Sequence, residues 1–274
     1  MYEDYFGLKE APFNVTPDPR FIFFSRQHLD AFSCLLYGIE SRKGFIQITG
    51  EIGAGKTTLC RAVMDRFKDA QTHSALILNP SLSELALLQT IADDFGIFLK
   101  ARNKKECFDG LNRFLLEEFH RGFNTVLIID EAQNLAPRAL EQIRLLSNLE
   151  TNREKLLQIV LVGQPELRET LDHPSLAQLR QRIAIRFHLT ALDRKETEEY
   201  ILHRLSVAGL AEGLNPFLPS AIDLIYNRSN GVPRVINKFC DVSLLAAYAK
   251  NVQHIDEKLA EEAFNESEGV PIPV

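Results

Sequence analysis

Apolar and polar positions change period along the chain in an ordered way. Five short runs are apolar or β-branched almost throughout: 45–49, 75–79, 125–129, 156–163 and 184–189. Runs of this length predict strands, and the unbroken ones predict strands buried on both faces. Between them, apolar residues recur at helical spacing. In 25–40 they are Leu29, Phe32, Leu36 and Ile39, with Ser25 placed to cap the helix. The segments 57–67, 82–95, 104–119 and 137–149 also predict helices, as does 166–182 with a break near Pro174. Strand and helix in alternation predict an α/β fold with a five-stranded parallel sheet flanked by helices. After Leu192 the strand signal stops. The segments 193–207, 219–228, 233–249 and 254–264 predict helices only, punctuated by Gly209, Gly213, Pro216, Asn230 and Gly231. The first 24 residues fit neither pattern: Phe6, Phe13, Phe21, Phe23 and Phe24 alternate with Pro12, Pro17 and Pro19. Proline disfavours helix just before it, so an extended strap laid on the core is expected. The expected division is a strap over 1–24, an α/β core over 25–192, an all-helical lid over 193–266 and a tail or linker over 267–274.

Composition changes this picture little. A chain of 274 residues has room for one such core and a smaller domain, and 45% apolar with 25% charged residues is ordinary for a globular protein. The net charge of −6 argues against a wholly basic nucleic-acid binder, while leaving room for a local basic groove. Cys34, Cys60, Cys107 and Cys240 lie far apart, with no C-x-x-C or Cys/His pairing; they signal no zinc site and read as buried thiols of a reducing compartment. Glu3 and Asp4 stand where a secretory signal carries Lys or Arg, and no apolar run reaches the roughly 18 residues of a membrane span. A cytoplasmic chain is expected, with attachment to a membrane only through a partner or further sequence.

The strongest chemical signal is Gly50-Glu51-Ile52-Gly53-Ala54-Gly55-Lys56-Thr57, which fits G-x-x-x-x-G-K-[ST] directly after the first strand. The glycines let the backbone aim successive N–H groups inward at the positive end of a helix, making an anion site. Lys56 would reach the β- and γ-phosphates of a nucleotide such as ATP, and the Thr57 hydroxyl would be a ligand to Mg²⁺. The candidate nucleotide-binding set is Gly50 to Thr57 together with Thr58, and Glu51, Ile52 and Ala54 enter it through their main chain. Against a bound nucleotide, the aromatic strap has two readings: part of it meets the adenine ring, or it serves hydrophobic packing only.

The third strand runs straight into Asp130-Glu131. Two acids at a strand end form either an exposed turn or the partner of a phosphate loop. In the second case Asp130 holds the Mg²⁺ shell, and Glu131 orients and polarises the attacking water. Gln164 follows the fourth strand, where ligands of open parallel sheets collect; it bonds the γ-phosphate or the water, or it is a turn residue before Pro165. Arg180, Arg182 and Arg186 cluster before the fifth strand. They are solvated charges, or they include an arginine finger directed at the nucleotide of a neighbouring subunit. In Gly231-Val232-Pro233-Arg234 an arginine opens a helix, from which it would reach back to the γ-phosphate.

In this order, these parts resemble an AAA+ ATPase of the ASCE P-loop class. The likeness is closer still to the ExeA (general secretion pathway protein A) family, through Tyr5-Phe6-Gly7-Leu8, Pro12-Phe13, Thr16-Pro17-Asp18-Pro19, Thr49-Gly50-Glu51, Asp130-Glu131-Ala132-Gln133 and Gly163-Gln164-Pro165-Glu166-Leu167. The resemblance covers residues 1 to about 265 and implies a Mg-dependent, oligomeric bacterial ATPase, a ring or filament, that supports assembly of a type II secretin or a type IV pilus. It implies catalytic roles for Lys56, Asp130 and Glu131, and makes Gln164 sensor 1, Arg182 (with Arg180 beside it) the finger and Arg234 sensor 2. An inner-membrane secretion or pilus partner is implied too. Secretion members continue into a transmembrane helix and a peptidoglycan-binding domain, neither of which is present; the expectation is the ATPase part of a longer protein or a short stand-alone member. The competing class is a DNA-binding AAA+ regulator of transposition, for which Arg102, Lys104 and Lys105 are the best basic loop, or else a solvated one.

Overall fold

A computed structural model describes residues 1–14, 16, 18–68, 71–99, 101–151 and 154–267. Pro17 of the strap and the expected tail from 268 on lie outside the described residues. In chain order the first elements are α1 (Tyr2–Phe6), α2 (Arg26–Glu40), β1 (Phe45–Gly50), α3 (Lys56–Phe67), β2 (Thr72–Ile77), α4 (Glu84–Asp94), α5 (Lys104–His120) and β3 (Asn124–Ile129). There follow α6 (Pro137–Leu146), β4 (Gln158–Gly163), α7 (Pro165–Asp172), α8 (Ala177–Arg180), β5 (Ile183–Leu189), α9 (Arg194–Val207), α10 (Pro219–Ser229), α11 (Pro233–Ala249) and α12 (Glu257–Ser267). They form two compact units. One comprises Gln27–Gly50 and Leu59–Leu189; the other comprises Met1–Arg26, Glu51–Thr58 and the described chain from Thr190 on.

The first unit is built on a five-stranded sheet in the order β2-β3-β4-β1-β5, with every pairing parallel. Side chains alternate across it. Phe45, Leu127, Ile129, Ile159 and Leu161 share a buried cluster with Leu87, Leu88 and Ile91 of α4, Leu111 and Leu115 of α5, and Leu140 and Ile143 of α6. Ile46 and Ile48 point the other way, and α2 approaches that face so closely that a Cβ on Gly38 would lie 2.5 Å from Ile46 Cδ1. The burial of β1, β3 and β4 along their whole length explains their continuous apolar runs. β2 starts earlier than the expected Ala75. As the sheet's edge it accommodates the half-exposed Thr72, His73 and Ser74, which are too polar to read as strand.

The second unit has its own core, in which Tyr2, Phe6, Phe13 and Phe21 pack with Tyr200, Ile201, Phe217, Ile222, Phe239 and Phe264. The strap therefore belongs to the C-terminal helices, and it is not extended throughout. Tyr2–Phe6 is helical, with acidic Glu3 and Asp4 in its first turn and Gly7 in the left-handed region at its end. Asp193 caps α9 and exchanges bonds with Glu196 as a capping box. α12 begins three residues later than expected. Ile255 is occupied in a bridge to Phe217, and the Asp256 carboxylate accepts the Leu259 N–H at 2.9 Å, which makes Asp256 the cap. No helix among the described residues is long and apolar enough to cross a membrane.

Candidate functional site

The phosphate-loop sequence joins β1 to α3. Gly53 and Gly55 sit at φ +83° and +93°, the left-handed region in which successive N–H groups form an anion-binding nest. Ala54 and Lys56 are buried, whereas Glu51 and Ile52 are exposed. The Lys56 ammonium donates to the Glu51 carbonyl at 2.8 Å, so its charge is folded over the loop. Thr57 and Thr58 continue into the first turn of α3. Within the same unit the start of α11 closes on the loop: the Arg234 N–H donates to the Gly53 carbonyl at 3.3 Å. A Cβ at Gly53 would lie 2.5 Å from Arg234 Cβ. Glycine at 53 therefore answers both a positive φ and a close approach. Arg234 itself is exposed.

In the sheet unit, β3 and β4 are parallel neighbours with Ile129 opposite Leu161. Their carboxyl ends consequently deliver Asp130-Glu131 and Gln164 side by side. Asp130 is buried at 2% exposure, and its Oδ1 accepts the Glu131 N–H at 2.9 Å. A buried carboxylate oxygen is the hard donor that Mg²⁺ prefers. Glu131 takes φ 51°, ψ 37°, a conformation that costs a non-glycine residue of order 1–3 kcal/mol. Its carboxylate is fixed from two directions. Gln164 Nε2 donates to Glu131 Oε2 at 3.2 Å, and Gln133 Nε2 donates to the same oxygen at 2.5 Å. The structure thus brings the Gln164 side chain to Glu131, the candidate base.

The three arginines do not form one cluster. Arg182 is half-buried and donates to Ser147 Oγ at 3.2 Å. Arg180 and Arg186 instead flank Asp172, at 3.8 and 3.7 Å, with both guanidiniums more than 40% exposed. Arg182 also faces acids: Glu141 is held below its usual carboxylate value by its bond to Arg144 first and the charge of Arg182 last.

One residue of this site was not assigned a role from sequence. Gln133 belongs to the Asp-Glu-Ala-Gln run, yet the run alone does not say that its side chain reaches both Glu131 and, across the strand ends, the Gln164 N–H at 3.1 Å.

A family profile described as an AAA domain matches residues 39–171. The chain is 43% identical over 264 residues to general secretion pathway protein A of Aeromonas hydrophila, covering 95% of this chain and 48% of that protein. It therefore spans about half the length of this relative. Cdc6p of Pyrobaculum aerophilum has a similar fold, with a TM-score of 0.71 at 20% identity over 96% of this chain and 72% of that one. ORC2 of Aeropyrum pernix, solved as ADPNP–ADP complexes, gives 0.65 at 19% identity over 90% of this chain and 68% of that one. With the P-loop sequence, the five-stranded parallel sheet and this identity, the chain belongs to the general secretion pathway protein A (ExeA) family of AAA P-loop proteins.

Proposed function

We propose that the chain binds ATP with Mg²⁺ and hydrolyses it to ADP and phosphate, as a homo-oligomer that supports assembly of a type II secretin or type IV pilus. The observation that carries this reading is the Glu131 carboxylate, held by two side-chain amides next to buried Asp130 in a chain with an intact phosphate loop. Gly50 to Thr58 cradle the phosphates, and Lys56 exchanges the Glu51 carbonyl for phosphate oxygen. Thr57 and Asp130 would hold Mg²⁺, which when bound neutralises charge on the β- and γ-phosphates. Glu131 accepts a proton from the attacking water as the water oxygen bonds to the γ-phosphorus and the bond to the ADP oxygen breaks. Gln164 orients that water or the γ-phosphate. Arg234 reports the nucleotide state to the helical lid, 193–266, and Arg182 or Arg180 completes the site of an adjacent subunit.

The relative's name, general secretion pathway, supports the process assigned here. The partner that fits is an inner-membrane secretion or pilus component, engaged from the cytoplasmic face. A DNA-dependent reading has less support, because Lys104 of the basic loop is paired with Glu84 at 2.7 Å and the net charge is −6. The test is to measure nucleotide affinity and phosphate release together. Lys56→Ala is expected to lose binding. Glu131→Gln should keep binding and lose turnover by about 10²–10⁴-fold. Undiminished release by Glu131→Gln would remove Glu131 from its role.

A further inference from the structure

Gln133 lies in the 3₁₀ turn Ala132–Asn134, which has Glu131 as its N-cap, and both ends of its side-chain amide are bonded. Its amide nitrogen donates to Glu131 Oε2 at 2.5 Å, and its amide oxygen accepts the Gln164 N–H at 3.1 Å. Gln164 Nε2 returns to the same Glu131 oxygen at 3.2 Å, closing a ring of hydrogen bonds through three residues, the carboxylate among them. The space for Gln133 is built into the next strand: a Cβ at Gly163 would sit 2.6 Å from Gln133 Oε1 and 2.9 Å from Leu167 Cδ2. Two donors on one carboxylate oxygen fix its torsion and lower the basicity of that oxygen. They also constrain a residue whose backbone is in a sparsely populated conformation.

We infer that Gln133 is a positioning residue for hydrolysis, clamping Glu131 Oε2 and the Gln164 main chain together so that Oε1 is the oxygen that takes the proton from water. This rests on the assignment of Glu131 as the base, and the test separates the two. Phosphate release, affinity for a fluorescent ATP analogue and thermal melting are measured with Mg²⁺ for wild type, Gln133→Ala, Gln133→Glu and Glu131→Gln. Gln133→Ala is expected to bind nucleotide like wild type while its turnover number falls about 10–100-fold, the scale of a misplaced reacting group.

Gln133→Glu has the same shape and keeps the acceptor for Gln164, but sets a second carboxylate against Glu131. Close carboxylates resist joint ionisation, so its deficit relative to wild type should shrink as pH falls and the new acid regains a proton to donate. A purely structural role moves neither the split between affinity and turnover nor the pH profile. Wild-type turnover in Gln133→Ala, or a wild-type pH profile in Gln133→Glu, overturns the inference. So does loss of nucleotide affinity together with turnover in Gln133→Ala. Full turnover in Glu131→Gln would overturn the base assignment first, and this inference with it.

Discussion

Glu131 holds a left-handed backbone beside a buried acid, and its carboxylate is held both by Gln133, two residues on, and by residues around Gly163 and Gln164 that are distant in sequence. Gly163 is the least obvious of them. It reads as the last residue of an apolar strand, yet its missing side chain is what admits Gln133. Gly163→Ala is therefore expected to destabilise the sheet unit by about 1–3 kcal/mol, the usual cost of overpacking, and to lower turnover more than nucleotide affinity. Urea denaturation and steady-state kinetics check the two effects. Lys56, Thr57, Asp130 and Glu131 could be singled out from sequence as candidates, because each lies in a contiguous motif that suggests its chemistry. Gln133 was not, since its role depends on β3 and β4 being neighbours, a tertiary fact that no local pattern encodes. Arg182 and Arg180 were legible only as charges; their different settings, against Ser147 and against Asp172, come from the fold.

At the scale of elements, one side chain of α9 makes several contacts with the strap. Arg204, 7% exposed, donates to the Pro12 carbonyl at 2.5 Å, the Asn14 carbonyl at 3.4 Å and the Tyr200 hydroxyl at 3.0 Å. Its guanidinium also lies 4.8 Å from the centre of the Phe21 ring. Arg204→Ala strands those acceptors and is expected to cost about 2–3 kcal/mol, with faster proteolysis of the first 24 residues as the visible sign. Near it, His203 packs on Phe23. Burial holds its pKa below the ordinary 6.5, outweighing the raising influence of the Ile22 backbone. The unfolded chain then takes the proton more readily than the folded one. His203 thus contributes stability that is complete above about pH 6.5 and declines as pH falls through the depressed folded value. His203→Phe should flatten that decline when urea midpoints are compared between about pH 8 and pH 5.

Elements buried on both faces, such as β1 and β3, were legible within a residue of their bounds because their apolar runs have no other use. The exposed edge β2 and the short α1 were not. One hides behind polar residues, and the other is a helix of five residues stopped by Gly7 in a region dominated by proline.

The whole molecule consists of two units with separate cores, and its phosphate loop groups with the C-terminal helices while its paired acids belong to the sheet. If catalysis draws an arginine from an adjacent copy, Arg182→Ala and Glu131→Gln should each be inactive alone and regain activity when mixed, because each supplies what the other lacks. The measurement that tests the account most directly is ATP turnover per subunit across a protein concentration series, with and without duplex DNA. The account predicts a rate that climbs with protein concentration and is unchanged by DNA. A per-subunit rate independent of concentration, or one that stays low until DNA is added and then falls with salt, would contradict it.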